Sequence, residues 1–290
     1  MLTIFTTAKP FTGHTGVIQR NALRSWSLLE PRCQIILLGD DPGTAEAARE
    51  FGALHIADVQ RSDYGLPLIS DMFDIAQARA DNALMCFANA DIILMQDFMR
   101  AAGSAARSRS RFLGVGRRWN LDVTGPLDFA GTDWPERLRQ EVRQRGELFL
   151  MDAMDYFVFP RGFYSRIPPF AVGREGWDNW MIYQARRQLA PVLDITRAAV
   201  VVHQNHDFGK FKDAGQRRTS DETARNKEFV GTGFFDLRDA THEVSADGAV
   251  RQTWRRNFRW HLWRACLLFP GLRHILAPLS RIKRTFKSSI

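Results

Sequence analysis

Cysteine is scarce. The 290-residue chain has three, Cys33, Cys86 and Cys266, far apart in sequence. They form no Cys-x-x-Cys pair and no disulfide framework, so a reducing compartment is expected. Long apolar runs are missing too, since none reaches the ~18 residues that a bilayer-spanning helix needs. Met1–Phe5 reads as a strand without the basic leader of a signal peptide, which makes a cytoplasmic location the expectation. There is no Gly-x-Ser-x-Gly elbow, no Gly-x-x-x-x-Gly-Lys-Ser/Thr loop and no His-Glu-x-x-His. Gly114-Val115-Gly116 lacks the further glycine of a dinucleotide fingerprint. Serine-hydrolase, P-loop, zinc-hydrolase and dinucleotide-dependent chemistries therefore lose their usual signatures.

Acidic residues are absent from 251–290, which hold ten of the chain's 40 lysines and arginines. That leaves 30 basic residues against 32 acidic ones in 1–250, a net of −2 within an overall +8. The body is near neutral and the basicity belongs to a tail, which argues against a nucleic-acid-binding body.

A 45% hydrophobic chain of this length has enough apolar material for a sizeable core. Leu2–Thr7 alternates like a strand and Val17–Leu29 has helical spacing. Gln34–Leu38 is a continuous apolar run, as expected of a parallel strand buried on both faces. A helix over Thr44–Phe51, a strand over Leu54–Ile56 and a helix over Ser70–Ala80 follow, and then Leu84–Leu94. Such alternation predicts right-handed crossovers and a mostly parallel sheet. Further on, the pattern predicts helices over Phe98–Ala106, Trp134–Arg145 and Asp178–Leu189. It predicts strands over Phe112–Gly116, Asp155–Pro160 and Val192–Ile195, and an apolar run, Ala198–Val202.

Three polar clusters fall at strand ends or helix starts. The first is Asn89-Ala90-Asp91, which also fits a strand leaving the core with Asp91 capping the helix near Gln96. The second is Gly176-Trp177-Asp178-Asn179, where Asp178 suits a helix N-terminus electrostatically. Trp177 and Trp180 fit either a sugar-stacking surface or core. The third is His203-x-x-His206. A carboxylate and imidazoles at neighbouring strand ends suit Mn or Mg.

Taken in order, these features resemble nucleotide-sugar-dependent glycosyltransferases of the A-type (GT-A) fold. They are strand ends at Thr6-Thr7 and Asp40-Asp41, Asn89-Ala90-Asp91, the Gly-Trp-Asp helix start and the terminal histidines. The resemblance covers about residues 1–212 and implies a single Rossmann-like α/β domain with a mostly parallel central sheet, over 1–228. It implies a divalent metal (Mn or Mg) held by Asp91 with His206, or His203 as second choice, Asn89 standing where the family carries its first acid. It implies Asp178 as general base of an inverting transfer. Thr6, Thr7, Lys9, Asp40, Asn89 and Asp155 would bind the nucleotide-sugar donor, and Lys212 its diphosphate. His206-Asp207-Phe208-Gly209-Lys210-Phe211-Lys212 has the His-x-x-Gly-x-x-Lys spacing found mostly in retaining members, so the stereochemical outcome stays open.

Residues 229–250 are expected to connect this domain to the tail, 251–290. Trp254–Leu279 interleaves tryptophans, phenylalanines and leucines with arginines, as in a basic amphipathic helix on an anionic membrane surface. The expected enzyme is a glycosyltransferase peripheral on the inner face of the membrane, acting on a saccharide or lipid-linked acceptor. The alternatives are a sugar-phosphate nucleotidyltransferase and a catalytically degenerate membrane-associated binding protein.

Overall fold

The structure, a computed structural model, describes residues 1–207, 213–231, 234–253 and 258–272. The first half follows the predicted alternation: β1 (Leu2–Thr7), α1 (Gly13–Ser27), β2 (Gln34–Leu38), α2 (Thr44–Phe51), β3 (Leu54–Ile56), α3 (Ile69–Arg79) and β4 (Leu84–Ala88). β1 pairs in parallel with β2 and β4, and β2 with β3. Ile4, Leu37 and Cys86 point into one core layer, whereas Phe5, Ile36 and Phe87 point into the other. Helices cover both faces: Ala22 and Ala47 of α1 and α2 pack in the first layer, Phe73 of α3 in the second. This two-sided burial is why these strands read as unbroken apolar runs.

α1 begins four residues before the predicted Val17. Gly16 lies inside the helix, where a Cβ would sit 2.6 Å from the backbone of Phe11. Its glycine therefore serves close packing rather than a turn.

The chain continues through β5 (Ile92–Ile93), α4 (Gln96–Ser108), β6 (Leu113–Val115), β7 (Trp119–Leu121), α5 (Trp134–Arg145), β8 (Glu147–Leu148) and β9 (Tyr156–Pro160). α6 (Trp177–Arg187), β10 (Val192–Asp194), β11 (Val202–Gln204), α7 (Ala214–Arg218) and α8 (Asp221–Val230) follow. The main sheet has nine strands in the order β13-β12-β10-β6-β9-β4-β1-β2-β3, with β12 (His242–Val244) and β13 (Val250–Gln252) closing one edge. Within it, only β9 and β13 run against the other strands. A small sheet, β5-β11-β7-β8, lies outside it. The architecture is doubly wound α/β with a mostly parallel central sheet, as expected.

Two placements differ from the sequence reading. Residues 242–252, largely within the expected connector, supply two strands of the main sheet. The tail helix is α9 (Phe258–Leu268), and its Arg264 and His261 are buried against the body instead of facing water. Arg264 pairs with Asp239, which is fully buried at the end of a capped 3-10 turn. A buried carboxylate needs a cation, and this demand outweighs the amphipathic pattern of the helix.

At the end of β6 the chain passes so close to β9 that only glycine fits. A Cβ at Gly116 would lie 2.4 Å from the Tyr156 hydroxyl and 2.9 Å from the Thr196 nitrogen. Gly116→Ala is expected to destabilise the protein by ~1–3 kcal/mol, the range for overpacking. Denaturant unfolding followed by far-UV circular dichroism tests this, and an unchanged midpoint would refute the tight approach.

Candidate functional site

The site is built at the carboxyl ends of the parallel strands, the side where open α/β sheets bind ligands. Asp91 lies in the turn between β4 and β5, its carboxylate largely buried. β5 pairs antiparallel with β11, placing His203 opposite Ile92, next to Asp91. The chain leaves β11 after Gln204, and His206 returns to the same carboxylate. Asp91 Oδ2 lies 3.0 Å from His206 Nε2 and 3.8 Å from His203 Nε2. One ligand atom from each of the three residues falls within 4.8 Å of the others.

This geometry removes the capping alternative, because α4 has Met95 at its N-cap and no side-chain cap. Gln204 anchors the arrangement through Nε2, which donates to the Asp91 carbonyl at 3.0 Å and the Ile18 carbonyl at 2.7 Å. Its Oε1 accepts from Asn21 Nδ2 at 2.9 Å.

The protonation states suit cation binding. Burial alone would raise the Asp91 pKa, but His203, the His206 hydrogen bond and Lys9 together hold it well below the usual carboxylate range. Burial pushes the His203 imidazole down to about 4, against the pull of Asp91, so near neutrality it keeps a ring lone pair. Asp91 Oδ1 and His203 Nδ1 are buried and have no hydrogen-bond partner. Buried polar atoms are rarely left unpaired without reason. An ionised carboxylate with one orphaned oxygen and two imidazoles whose Nε2 atoms face it fit a divalent cation with oxygen and nitrogen ligands.

Asn89 and Asp155 meet because β9 is reversed. The register pairs Ala88 with Tyr156, so the residue after β4 faces the residue before β9. Asn89 Nδ2 donates to Asp155 Oδ1 at 2.7 Å, and the Asn89 amide donates to the Asp155 carbonyl at 2.9 Å. The other Asp155 oxygen takes an ion pair from Arg118, three residues past the end of β6. Arg118 is mostly buried, donates from Nε to Asn120 Oδ1 at 3.1 Å, and stacks 4.4 Å from the Phe149 ring centroid. Burial pulls its guanidinium down to about 10, opposed by the charges of Asp91 and Asp178. Arg118 is the site residue that sequence reasoning missed, although Arg117-Arg118 at the end of a predicted strand was the available signal.

Asp178 opens α6, as predicted, and its Oδ1 accepts from the Gly176 amide at 3.3 Å. Burial raises its carboxyl to about 6, partly offset by backbone donors at the helix start. Trp177 and Trp180 are buried beside Phe87, Phe157 and Phe170, so they are core rather than a sugar platform.

Thr6 is fully buried and donates to the Thr7 carbonyl at 3.1 Å, whereas Thr7 Oγ1 is buried without a partner. Lys9 is exposed and its charge reaches Asp91. Asp40 is exposed at the end of β2, 2.5 Å from Arg61, which also pairs with Asp41. Lys212 lies outside the described residues. The structure therefore gathers Asp91, His203 and His206 in one cluster and Asn89, Asp155 and Arg118 in a second beside it.

No protein-family model matches the chain, and no curated protein matches it. Solved structures do. GalNAc-T7, crystallised with UDP, GalNAc and Mn2+, superposes with a TM-score of 0.50 at 14% identity, over 79% of this chain and 48% of that one. The chain has the GT-A fold. It spans about half the length of GalNAc-T7. Glucosyl-3-phosphoglycerate synthase from Mycobacterium tuberculosis, with Mn2+, UDP-glucose and phosphoglyceric acid, aligns at a TM-score of 0.47 and 13% identity, over 78% and 79% of the two chains. In this GT-A chain, the Asp-His cluster follows the strand that ends in Asn89-Ala90-Asp91.

Asp155→Ala would leave Arg118 buried without its carboxylate. A loss of ~3–5 kcal/mol is expected, the cost of breaking a buried ion pair from one side. Arg118→Ala combined with Asp155→Ala should cost clearly less than the two single changes summed. Urea unfolding of the three variants checks this, and strict additivity would show that the pair is not coupled.

Proposed function

We propose that this chain is a nucleotide-sugar-dependent glycosyltransferase. It moves a hexosyl or related sugar from a nucleoside-diphosphate donor to a saccharide or lipid-linked acceptor. The observation that carries this reading is Asp91 set between two histidines at the carboxyl strand ends of a GT-A fold. GalNAc-T7, which shares the fold, was crystallised with UDP and Mn2+.

Asp91 and His206, with His203 beside them, would hold Mn or Mg. When bound, such an ion supplies Lewis-acid neutralisation of the departing diphosphate. With Asn89 uncharged, the residues that would hold the ion are one carboxylate and two imidazoles, a set whose charge would suit an ion that also carries a diphosphate. Thr7, Lys9 and Asp40 line the nucleotide end, whereas the buried Thr6 only supports that strand end. Asn89 and Asp155 shape the sugar side, with Arg118 fixing Asp155. Lys212 is the proposed diphosphate contact.

Asp178 acts as the base. It takes the proton of the acceptor hydroxyl as that oxygen attacks the anomeric carbon, while the bond to the diphosphate breaks and configuration inverts. A carboxyl raised to about 6 is a stronger base than an ordinary one and is still ionised near neutrality. No helix among the described residues is long and apolar enough to cross a membrane. The proposed location is peripheral, on the cytoplasmic face, held through the basic tail.

A screen of nucleotide-sugar donors, reading released nucleoside diphosphate, should find one that supports turnover, and silence across the panel would reject the reading. With that donor, Asp178→Asn is expected to lower kcat by ~10²–10⁴-fold, the usual contribution of a general base. Because the base acts in its ionised form, kcat/KM should fall as pH drops below about 6. A flat profile from pH 5 to 8 would remove Asp178 from the role.

The same carboxylate has a cost to the fold. Its folded pKa lies above the ordinary 3.8, so ionisation destabilises the protein, fully so above about 6. Asp178→Asn should therefore raise Tm at pH 8 and lose that advantage at pH 4, as calorimetric scans would show.

A further inference from the structure

α9 is docked inside out. Its inward face carries Arg264 and His261 together with Leu268, all buried. Arg264 grips both Asp239 oxygens, Nε at 2.7 Å and Nη2 at 2.5 Å, and its guanidinium lies 3.7 Å from the Phe235 ring centroid. Trp260 Nε1 donates to the same carboxylate at 3.0 Å, and His261 Nδ1 lies 3.1 Å from Arg186 Nη1. The outward face carries Phe258, Leu262 and Trp263, which are 52%, 40% and 53% exposed.

A helix free to choose would turn its arginine and histidine to water and its aromatics inward. Here a fully buried Asp239 demands the cation, and the rigid ion pair fixes the opposite orientation. The result is an apolar patch held facing solvent, an arrangement that marks an interaction surface. The patch sits in residues 251–290, which hold ten lysines and arginines and no acidic residue. Tryptophan, phenylalanine and leucine projecting from a strongly cationic segment match a surface that is apolar below and anionic above.

We propose that the Phe258-Leu262-Trp263 face of α9 is a docking surface for an anionic lipid bilayer, set in place by the Arg264–Asp239 pair. The proposal deepens the peripheral-membrane part of the function above and does not depend on the sugar chemistry. Docked this way, the protein inserts three apolar side chains at the headgroup boundary.

The test uses the full chain with vesicles of phosphatidylcholine alone and of phosphatidylcholine mixed with phosphatidylglycerol. The expected result is co-sedimentation with the mixed vesicles only, weakened by salt, and quenching of tryptophan emission by brominated acyl chains. Leu262→Ser combined with Trp263→Ser, both at exposed positions and leaving the net charge unchanged, should weaken vesicle binding by about tenfold or more, as expected for losing buried apolar side chains. Donor turnover in solution should be unchanged in that variant.

Equal vesicle binding by wild type and variant would overturn the proposal, because charge alone would then carry the attachment. Absence of vesicle binding would overturn it too. If sedimentation equilibrium then showed a dimer abolished by the same double change, the occupant would be a second copy of the chain. Vesicle binding without turnover on any donor would refute the catalytic reading and leave this one standing.

Discussion

One buried carboxylate, Asp91, governs the candidate site. Removed from most of the solvent, it would take up a proton were it not for the two histidines and Lys9. The histidines come from a distant part of the chain and reach Asp91 because β5 pairs with β11, whereas Lys9 follows β1, the parallel neighbour of β4. Gln204 then ties the Asp91 carbonyl to α1 through Ile18 and Asn21. The site is therefore rigid where its charge is concentrated. That is what a preorganised ligand set needs, since reorganisation on binding would cost affinity.

The charges around Asp91 divide into neutralised and available. Asp155 is balanced by Arg118, and position 89 carries an amide. Asp91 and Asp178 have different environments, and these drive their pKa values apart. Histidines hold one carboxyl down, while burial lifts the other to about 6. That difference is what the proposed roles rest on, Asp91 as metal ligand and Asp178 as base. Asn89 fits the same scheme. A carboxylate there would sit at hydrogen-bond distance from Asp155, and the amide gives Asp155 a donor in place of a repulsion.

The doubly wound half of the fold was legible in sequence because β1, β2 and β4 are buried on both faces and announce themselves as apolar runs. Asp91, Asp178 and the histidines were legible because polar residues interrupt those runs at strand ends or open a helix. The small sheet was not, since β5 and β8 have two residues each and β7 and β11 three, too short for any period to show. It is this sheet that sets His203 beside Asp91, with His206 returning to the same carboxylate just after it. Arg118 escaped notice because its importance arises from the reversed register of β9, a tertiary fact. The orientation of α9 was equally hidden, because it follows from a buried aspartate in another segment.

The most direct test is a calorimetric titration of nucleoside diphosphates, UDP among them, into the full chain with and without Mn2+. At least one should bind, more tightly with Mn2+ by about tenfold or more, the scale of one added charge-assisted contact. Asp91→Ala should remove that Mn2+ enhancement while leaving the protein folded. Binding that ignores Mn2+, or a Mn2+ enhancement that survives Asp91→Ala, would contradict the account at its centre.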